Sequence, residues 1–570
     1  MKGKTIKLNI FTLLLLILFC GDTTNGQTNK DIFASPVDIP LYSAGSFAEL
    51  RGSHFHSGLD IRTFGKTGYC VYAPLEGYVS RIKVQAFGGG KNLYITHPNG
   101  YTSVYMHLER YCGKIEKFVK EYQYENKVYE FDYVFAKPQI YVEKGDTIAL
   151  SGESGSVAGP HLHFEIRKTD SQNPLNPLLF LNMEDNIPPY IESLIISPLK
   201  EASVENSAEE KIINLKKDKS FRSGDTINCL GNVFFSILAF DSSKNSSMRN
   251  GVLNYELYSN NQKIFSHKIN EFSFADYGYV DAVINYPLYI KTGKRYICSR
   301  LIENGKLPYN TYFNNGILNI KQDSLYKIEW RLSDINNNRT NFVFYIRGWQ
   351  DEDFTKQPCT KPSVKYINCF ENSVYTSDEG SSFVFPKNSL YQGIDLEYSN
   401  KKGTYSNIHT LHNVFEPVKK KFTLRIKPYK IEERLKNKYL VVKINNKGKL
   451  VSMGGGLKNG FVETSVGSFG VFAVWIDTLA PQIKPLNFKN KQKLSVKQKT
   501  LQVKISDNLS GIASYNGYLN GEWILMEYDG KKAKLTYTID DRLKQGGNKL
   551  EVVVKDKKNN SQTIVFDIIK

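Results

Sequence analysis

Histidine and aspartate residues with short, regular spacings occur in the first third of the sequence. His56 and Asp60 are four residues apart, and Gly58 between them permits a bend in the backbone. An imidazole and a carboxylate in this arrangement can both face one metal ion. Because this spacing is common by chance, the pair alone is only weak evidence for a metal site.

A second pair of histidines, His161 and His163, is separated by Leu162. In a β-strand, residues i and i+2 point to the same face, so both imidazoles share one face and Leu162 packs on the other. Two adjacent imidazoles are costly to place without a metal ion or a proton-transfer task. A further histidine, His107, lies between the two pairs and follows a strand-like run.

The remaining histidines carry weaker patterns. His54 is close to His56 but lacks the four-residue spacing to an aspartate, and we expect it at the rim of any site. His97 precedes a proline and is interpreted as structural. Glu165 shares a strand face with the second histidine pair and can orient a ligand, although a solvated carboxylate is the favoured interpretation. No pattern involves His267, His409 and His412.

The order HxxxD, then His, then Gly-Pro-His-Leu-His-Phe-Glu resembles the signature of the lysostaphin-type zinc endopeptidases, the M23 peptidase family. The resemblance covers roughly residues 50–170. It includes a strand at 73–79 that is similar to the family's A-x-x-x-G-x-V pattern, and a turn at 142–146 that is similar to its V-x-x-G-D pattern. The joint match is far more specific than any of its parts.

The resemblance implies a small antiparallel β core with a narrow groove, and cleavage of peptidoglycan cross-bridges or stem peptides. It implies that His56, Asp60 and His163 bind one Zn²⁺ per chain, and that His107 and His161 are catalytic. Three nitrogen and oxygen ligands leave a fourth position for water, as catalytic zinc sites require. A histidine outside the ligand set can then move the proton. The sequence contains no HExxH motif, so a glutamate base on a helix is not available.

Short strand-like runs that position these residues predict a mainly β protein. We expect an M23-type peptidase domain at 27–185, with an insertion at 113–141 that begins with a helical pattern and flanks the groove. After Pro188 and Pro189, short strands alternate with turns, and a weak repeat relates the segments after Asp334 and Asp556. We therefore expect immunoglobulin-like β-sandwiches at 186–350 and 479–570, with a β module of uncertain type at 351–478.

The net charge of +18 on 570 residues would favour a polyanionic partner. Because the lysines are scattered, a solvated basic surface is favoured over nucleic-acid binding. The expected partner is peptidoglycan, and the C-terminal β modules leave room for an envelope protein. A catalytically inactive protein that activates or scaffolds another wall hydrolase is the alternative, although such relatives usually lack one of the five site residues, and all are present here.

Residues 1–26 resemble a secretory signal, with three early lysines, an apolar run at 10–19 and a cleavage site before Gln27. The expected location is the periplasm, the cell envelope or the extracellular space. Lipidation at Cys20 is the alternative, disfavoured by the preceding Phe19. In an exported chain the later cysteines can pair. We predict disulfides Cys359–Cys369, Cys70–Cys112 and Cys229–Cys298, with buried free thiols as the alternative.

Overall fold

The computed structural model describes residues 32–215, 221–242, 248–351, 354 and 363–570. The predicted signal segment 1–26, the alternative lipidation site Cys20 and the predicted disulfide partner Cys359 lie outside these residues. The described strands form eight sheets, and each sheet is built from one of four successive regions of the chain, which are called domains below. The mainly β prediction is confirmed. Within the described ranges, no helix is long and apolar enough to cross a membrane.

The first domain contains residues 32–185. Its elements are β1 Ser43–Gly45, β2 Leu59–Arg62, β3 Cys70–Tyr72, β4 Gly77–Val84, β5 Lys91–Thr96, β6 Tyr101–Met106, β7 Arg110–Tyr111, α1 Gly113–Asn126, β8 Phe131–Val134, β9 Tyr141–Val142, β10 Thr147–Leu150, β11 His161–Lys168, β12 Pro174–Leu175 and the 3₁₀ turn Pro177–Leu179.

The main sheet of the first domain has the order β1-β2-β11-β6-β5-β4-β8, and β3, β10 and β7 form a small second sheet. The pairs β2–β11 and β11–β6 are antiparallel. The side chains of Leu162, Phe164 and Ile166 of β11 are buried in the hydrophobic core of this domain. The strand therefore turns its histidines to the opposite face, as its alternation predicts.

The insertion 113–141 packs against the fourth domain and does not flank the groove. Helix α1 buries Ile115 and Val119, and β8 and β9 extend the main sheet beside β4. No residue of 113–141 lines the cavity that contains the histidines. The helix is confirmed, but its predicted position beside the groove is wrong, because its outer face packs on the fourth domain.

The second domain contains residues 190–348. Its elements are β13 Tyr190–Pro198, β14 Ser203–Val204, β15 Lys211–Ile213, β16 Thr226–Phe240, β17 Asn254–Ser259, β18 Gln262–Lys268, the 3₁₀ turn Val280–Ala282, α2 Tyr286–Thr292, β19 Ile297–Cys298, β20 Asn310–Tyr312, the 3₁₀ turn Asn314–Gly316, β21 Ile317–Ile320, β22 Leu325–Ser333 and β23 Arg339–Gly348.

The long strand β16 belongs to both layers of the second domain. Its first part pairs in parallel with β23, and its later part pairs with β13 and β21. Gly231 separates the two parts and has a φ of 82°. Glycine adopts this left-handed conformation without a steric penalty, so the strand can change layers there.

The third domain contains residues 365–477. Its elements are β24 Lys365–Ile367, β25 Ser373–Thr376, β26 Ser382–Phe385, β27 Ile394–Leu396, β28 Tyr398–Lys401, β29 Ile408–Leu411, β30 Phe422–Ile426, the 3₁₀ turn Glu433–Leu435, β31 Tyr439–Ile444, β32 Leu450–Gly454, β33 Gly456–Lys458, β34 Phe461–Val466 and β35 Gly470–Ile476.

The fourth domain contains residues 482–569. Its elements are β36 Gln482–Pro485, β37 Gln492–Lys493, β38 Thr500–Ser506, β39 Ile512–Leu519, β40 Glu522–Ile524, β41 Glu527–Asp529, β42 Lys534–Thr538, β43 Gly547–Asp556 and β44 Ser561–Ile569. A four-stranded and a five-stranded sheet form this domain. An immunoglobulin-like fold for the second and fourth domains stays a prediction.

The repeat that the sequence indicates corresponds to two equivalent turns. Asp334 accepts hydrogen bonds from the backbone N–H groups of Asn336 and Asn338, in the turn between β22 and β23. Asp556 accepts the same bonds from Lys558 and Asn560, in the turn between β43 and β44. Each aspartate therefore closes the last hairpin of its domain.

The cysteines that the structure describes are free thiols. The predicted Cys229–Cys298 disulfide is wrong, because Cys229 lies on β16 seven residues before Ser236, and Ser236 is the residue that faces Cys298. Seven residues of strand span roughly 23 Å, far beyond the reach of a disulfide. The predicted Cys70–Cys112 bond is also absent.

Candidate active site and metal centre

The three central strands bring together the residues that are separated in the sequence. His163 of β11 lies directly opposite Asp60 of β2 on one side and Met106 of β6 on the other. His107 follows Met106 at once and adopts a φ of 64°, in the left-handed region. At this strained residue the chain leaves β6, at a position next to His163.

Three side-chain atoms converge on one point. His56 Nε2 lies 3.0 Å from Asp60 Oδ1 and 3.0 Å from His163 Nδ1, and His163 Nδ1 lies 2.9 Å from Asp60 Oδ1. Donors around a tetrahedral zinc at about 2.0–2.1 Å would be roughly 3.3 Å apart. The observed triangle is therefore slightly tighter than a zinc-bound set and has the right shape.

The outer nitrogens of both histidines are already engaged. His56 Nδ1 lies 2.7 Å from the Ser46 carbonyl oxygen, and His163 Nε2 lies 2.9 Å from Glu165 Oε1. Because these acceptors fix the N–H on the outer nitrogens, the inner nitrogens present lone pairs to each other and to a carboxylate. Either a second proton on His163, shared with Asp60, or a divalent metal that displaces this proton satisfies these inner atoms, so the donor set fits a divalent metal.

Glu165 is fully buried, so its interpretation as a solvated carboxylate is wrong. It accepts a 2.6 Å hydrogen bond from Ser57 Oγ and forms a short ion pair with Arg167. Burial disfavours the charged form of Glu165, but Arg167 and His163 outweigh burial and lower its pKa to about 2. The same carboxylate therefore orients His163 and stays ionised.

The electrostatics of the three converging residues follow from their mutual contacts. Burial alone would raise the pKa of Asp60, but the charge of His56 and a hydrogen bond from His163 hold that pKa well below its usual value. Burial opposes protonation of His163, whereas its hydrogen bonds to Asp60 and Glu165 raise its pKa to about 9. Arg51 also bonds Asp60, with Nη2 2.7 Å from Oδ2.

His107 and His161 stand beside this triangle. Their ring centroids are 4.9 Å apart, and the ring of His107 lies 5.9 Å from that of His163. Backbone carbonyls of Ser154 and Gly159 hold Nδ1 of His107 and His161 respectively. Burial lowers the pKa of His107 to about 3 and also lowers that of His161. Both imidazoles are therefore neutral at pH 7.

All five residues line one open cavity of about 750 Å³. The lining includes the loops around Gly88 and residues 156–160. It also includes His54 and three residues of the second domain, which are Met248, Phe274 and Tyr277. Sequence reasoning missed these three, because no local pattern links a turn of the second domain to the histidines of the first.

The other histidines lie where packing explains them. His97 Nδ1 contacts the Glu76 carbonyl oxygen and Nε2 contacts Ser103 Oγ, in agreement with the structural interpretation. The histidines of the second and third domains are buried far along the chain from this cavity, and they are His267, His409 and His412. Among the described residues, two more triplets of clustered carboxylates occur, Asp185/Asp241/Asp334 and Asp477/Asp507/Asp556.

Comparison with protein-family models gives two matches. The model of peptidase family M23 matches residues 54–124 and 119–177, and that of the Zu5-like domain matches residues 365–477. The first match contains His56, Asp60, His107 and the β11 histidines, and the second coincides with the third domain. The β module that the sequence left without a type is therefore similar to a Zu5-like domain.

Known proteins are similar to this chain over the same region. An uncharacterized metalloprotease of Haemophilus influenzae is 34% identical over 110 residues, which are 19% of this chain and 18% of that protein. The peptidoglycan DD-endopeptidase ShyC of Vibrio cholerae is 30% identical over 147 residues, 25% of this chain and 28% of that protein.

A search of solved structures matches the catalytic domain of lysostaphin from Staphylococcus simulans. That match has 24% identity and a TM-score of 0.18, and it covers 24% of this chain and 86% of that one. The chain spans 18% to 28% of the length of the curated relatives it matches. The family model and these relatives agree that residues 54–177 are similar to peptidase family M23.

Proposed function

We propose that this protein is an exported zinc metalloendopeptidase that hydrolyses peptide bonds in the stem peptides or cross-bridges of peptidoglycan. The observation that carries the proposal is the triangle of His56, Asp60 and His163, which presents two lone pairs and a carboxylate to one point inside an M23 domain. Relatives named as peptidoglycan DD-endopeptidases support the choice of substrate.

In this proposal His56 Nε2, Asp60 Oδ1 and His163 Nδ1 hold the metal. When bound in such a site, zinc supplies a water that is acidic near neutral pH and a Lewis acid for the scissile carbonyl. Ser46 and Glu165 fix the two imidazoles by accepting their outer N–H groups. These contacts orient the donors before any metal arrives, so little reorganisation accompanies binding.

His107 and His161 handle protons in this proposal. With Nδ1 of each ring held by a backbone carbonyl, Nε2 is the nitrogen left for the substrate. One neutral imidazole can take the proton of the attacking water and return it to the leaving amine. The other has no proton on Nε2 while it is neutral, so it can donate a hydrogen bond to the oxygen that gains charge only after Nε2 has taken a proton from solvent.

The alternative is an inactive envelope protein that activates or scaffolds another wall hydrolase. The complete set of five residues in one accessible cavity favours the peptidase. Export, with lipidation at Cys20 as its variant form, belongs to the same proposal, because peptidoglycan lies outside the cytoplasm.

The test uses the full chain, elemental analysis and mass spectrometry of fragments released from purified peptidoglycan of several chemotypes. We expect one zinc per chain, loss of fragment release after chelation, and its return when zinc is added back. Release that continues undiminished in metal-stripped protein would contradict the metal role. A zinc-loaded protein that binds the wall but releases nothing would support the inactive alternative.

A further inference from the structure

A segment of the second domain is fixed against the first domain beside the cavity. Glu271 forms an ion pair with Lys168, 2.7 Å between Oε2 and Nζ, and also accepts a hydrogen bond from Asn173. The Phe55 N–H donates to the Tyr277 carbonyl oxygen over 3.0 Å. Residues 271–277 are therefore anchored at both ends and cannot swing away as a loose loop.

This anchoring is reinforced by a shared core. Phe47 and Phe55, which come from the first domain, are buried in the hydrophobic core of the second domain together with Phe272. The rings of Phe47 and Phe272 stack with centroids 5.3 Å apart. Burying large aromatic rings across a boundary joins the two domains into one packed unit.

Two aromatic rings of this segment, those of Phe274 and Tyr277, line the cavity. Tyr277 stacks on His54, with ring centroids 4.6 Å apart and an interplanar angle of 20°. Phe274 lies under the guanidinium of Arg167 at 4.6 Å and remains 37% exposed. An exposed phenylalanine that lines a concave polar site offers apolar area to a ligand, since folding has not buried it.

We propose that Phe274 and Tyr277 form part of the substrate-binding surface of the peptidase groove, and that the second domain thereby helps to select the substrate. The inference rests on the proposed peptidase function and assigns it a further substrate contact. The Tyr277 ring stacks on His54 and Phe272, and Arg167 lies over Phe274, so the parts of the two rings that remain uncovered offer the contact. These apolar parts fit the small aliphatic side chains and Cα–H groups of a short peptide. A charged side chain would find no new ion-pair partner on these two rings.

The kinetic consequence follows from where the rings lie. The groups that react are on β2, β11 and His107, whereas these two rings lie on the wall of the groove formed by His54 and the second domain. Contacts made equally in the ground state and in the transition state change KM and leave kcat almost unchanged. An aromatic packing contact corresponds to roughly a threefold to tenfold change in affinity.

The test compares full-length zinc-loaded variants on soluble cross-linked muropeptide dimers, released from purified wall with a muramidase. We expect Tyr277→Ala and Phe274→Ala each to raise KM by about threefold to tenfold while kcat stays within about twofold. Tyr277→Phe keeps the ring and should resemble the wild type. Phe313→Ala is the matched control, because Phe313 is an exposed phenylalanine of the same domain that does not line the cavity.

Binding of the same dimers to zinc-loaded His161→Ala protein, with and without Tyr277→Ala, separates this inference from the proposed function. If the wild type cleaves no dimer, the proposed function fails. A weaker calorimetric affinity for the dimers after Tyr277→Ala would still support the contact between Tyr277 and the ligand. The inference is overturned if Tyr277→Ala and Phe274→Ala match Phe313→Ala in both assays. It is also overturned if their only effect is loss of zinc or of thermal stability, since both rings would then be purely structural.

Discussion

The ring nitrogens of the β11 histidines have different roles, and their hydrogen bonds fix which nitrogen has which role. His163 turns Nδ1 towards Asp60 and Nε2 towards Glu165, so its two nitrogens cannot exchange tasks. His161, two residues earlier on the same strand face, has its Nδ1 held by Gly159 and its Nε2 3.5 Å from Asp60 Oδ1. His161 lies beside the donor triangle and outside it, because the three residues whose donor atoms all lie within 4.8 Å of one another are His56, Asp60 and His163.

This geometry predicts different losses for the two β11 histidines. His163→Ala removes a donor from the triangle, so we expect zinc affinity to fall sharply. His161→Ala should keep near-stoichiometric zinc and lose about 10²–10⁴-fold in turnover, the usual contribution of a general acid or base. His107→Ala should resemble His161→Ala, and the two losses should not multiply, because residues that act as one unit are non-additive.

Zinc content by elemental analysis and turnover on purified wall measure these effects together. His97→Ala is a suitable comparison, because this buried histidine packs away from the cavity. Loss of zinc in His161→Ala with retention in His163→Ala would show that the two roles are reversed.

Glu165 yields a second prediction at this scale. Glu165→Gln keeps the shape of the side chain but removes the charge that holds the N–H of His163 and pairs with Arg167. Outer partners of metal-binding histidines typically contribute about 10–100-fold in metal affinity, and we expect a loss of that size. Competition with a chelating dye measures the zinc dissociation constant.

Glu109 is an exposed carboxylate near His107, so the control variant Glu109→Gln should bind zinc like the wild type. An equal loss of zinc affinity in this control would contradict the prediction.

At the scale of elements, alternation along β11 correctly places both histidines on one face, because strand geometry alone decides that outcome. The helical pattern at 113–125 likewise predicts α1, since its apolar spacing is local. The burial of Glu165 could not be predicted, because Ser57, which bonds it, and Phe274, which covers its partner Arg167, are distant in sequence. The same reason explains why the insertion was misplaced: its packing partner, the fourth domain, begins more than 300 residues later.

Helix α1 and strand β41 meet through a charge cluster that gives a prediction for this scale. Glu527 lies 2.8 Å from Lys91 Nζ and 3.1 Å from Lys120 Nζ, so one carboxylate pairs with two lysines across a domain boundary. Burial disfavours the charged form of Glu527, but the two lysines lower its pKa to about 2. Glu527→Gln removes the carboxylate of Lys91 and leaves Lys120 only Glu116, at 4.0 Å. We expect about 1–3 kcal/mol of destabilisation, between the values for exposed and buried pairs.

Thermal unfolding and limited proteolysis of the fourth domain measure this loss. The matched control is Glu522→Gln on the neighbouring strand β40, where the carboxylate is exposed. Equal stability of Glu527→Gln and Glu522→Gln would show that the cluster contributes nothing to domain docking.

At the scale of the whole molecule, two later domains contact the groove. The second domain supplies part of its lining, and the fourth domain contacts the loop at 153–157. Lys532 pairs with Glu153 over 2.5 Å, and Lys531 Nζ donates to the carbonyl oxygen of Val157 over 3.0 Å. Val157 lines the cavity. The shape of the groove therefore depends on the assembled chain, and the first domain alone would lack these contacts.

The junction between the first and second domains gives the last prediction. Asp241 lies in a cluster with Asp185 and Asp334, and burial followed by the charges of Asp334 and Asp185 raises its pKa to about 8. The unfolded chain has a pKa of about 3.9 for this group, so the folded state holds the proton more tightly. Its contribution to stability is fully present below about pH 4 and is lost as the pH rises towards 8, by about 1.4 kcal/mol per pH unit.

Asp241→Asn stays neutral, so its melting temperature should exceed that of the wild type by more at pH 8 than at pH 5. Differential scanning calorimetry at the two pH values measures this gap, with the exposed Asp323→Asn of the same domain as control. A gap that is equal at both pH values, or that appears equally in Asp323→Asn, would mean that Asp241 does not titrate in this range.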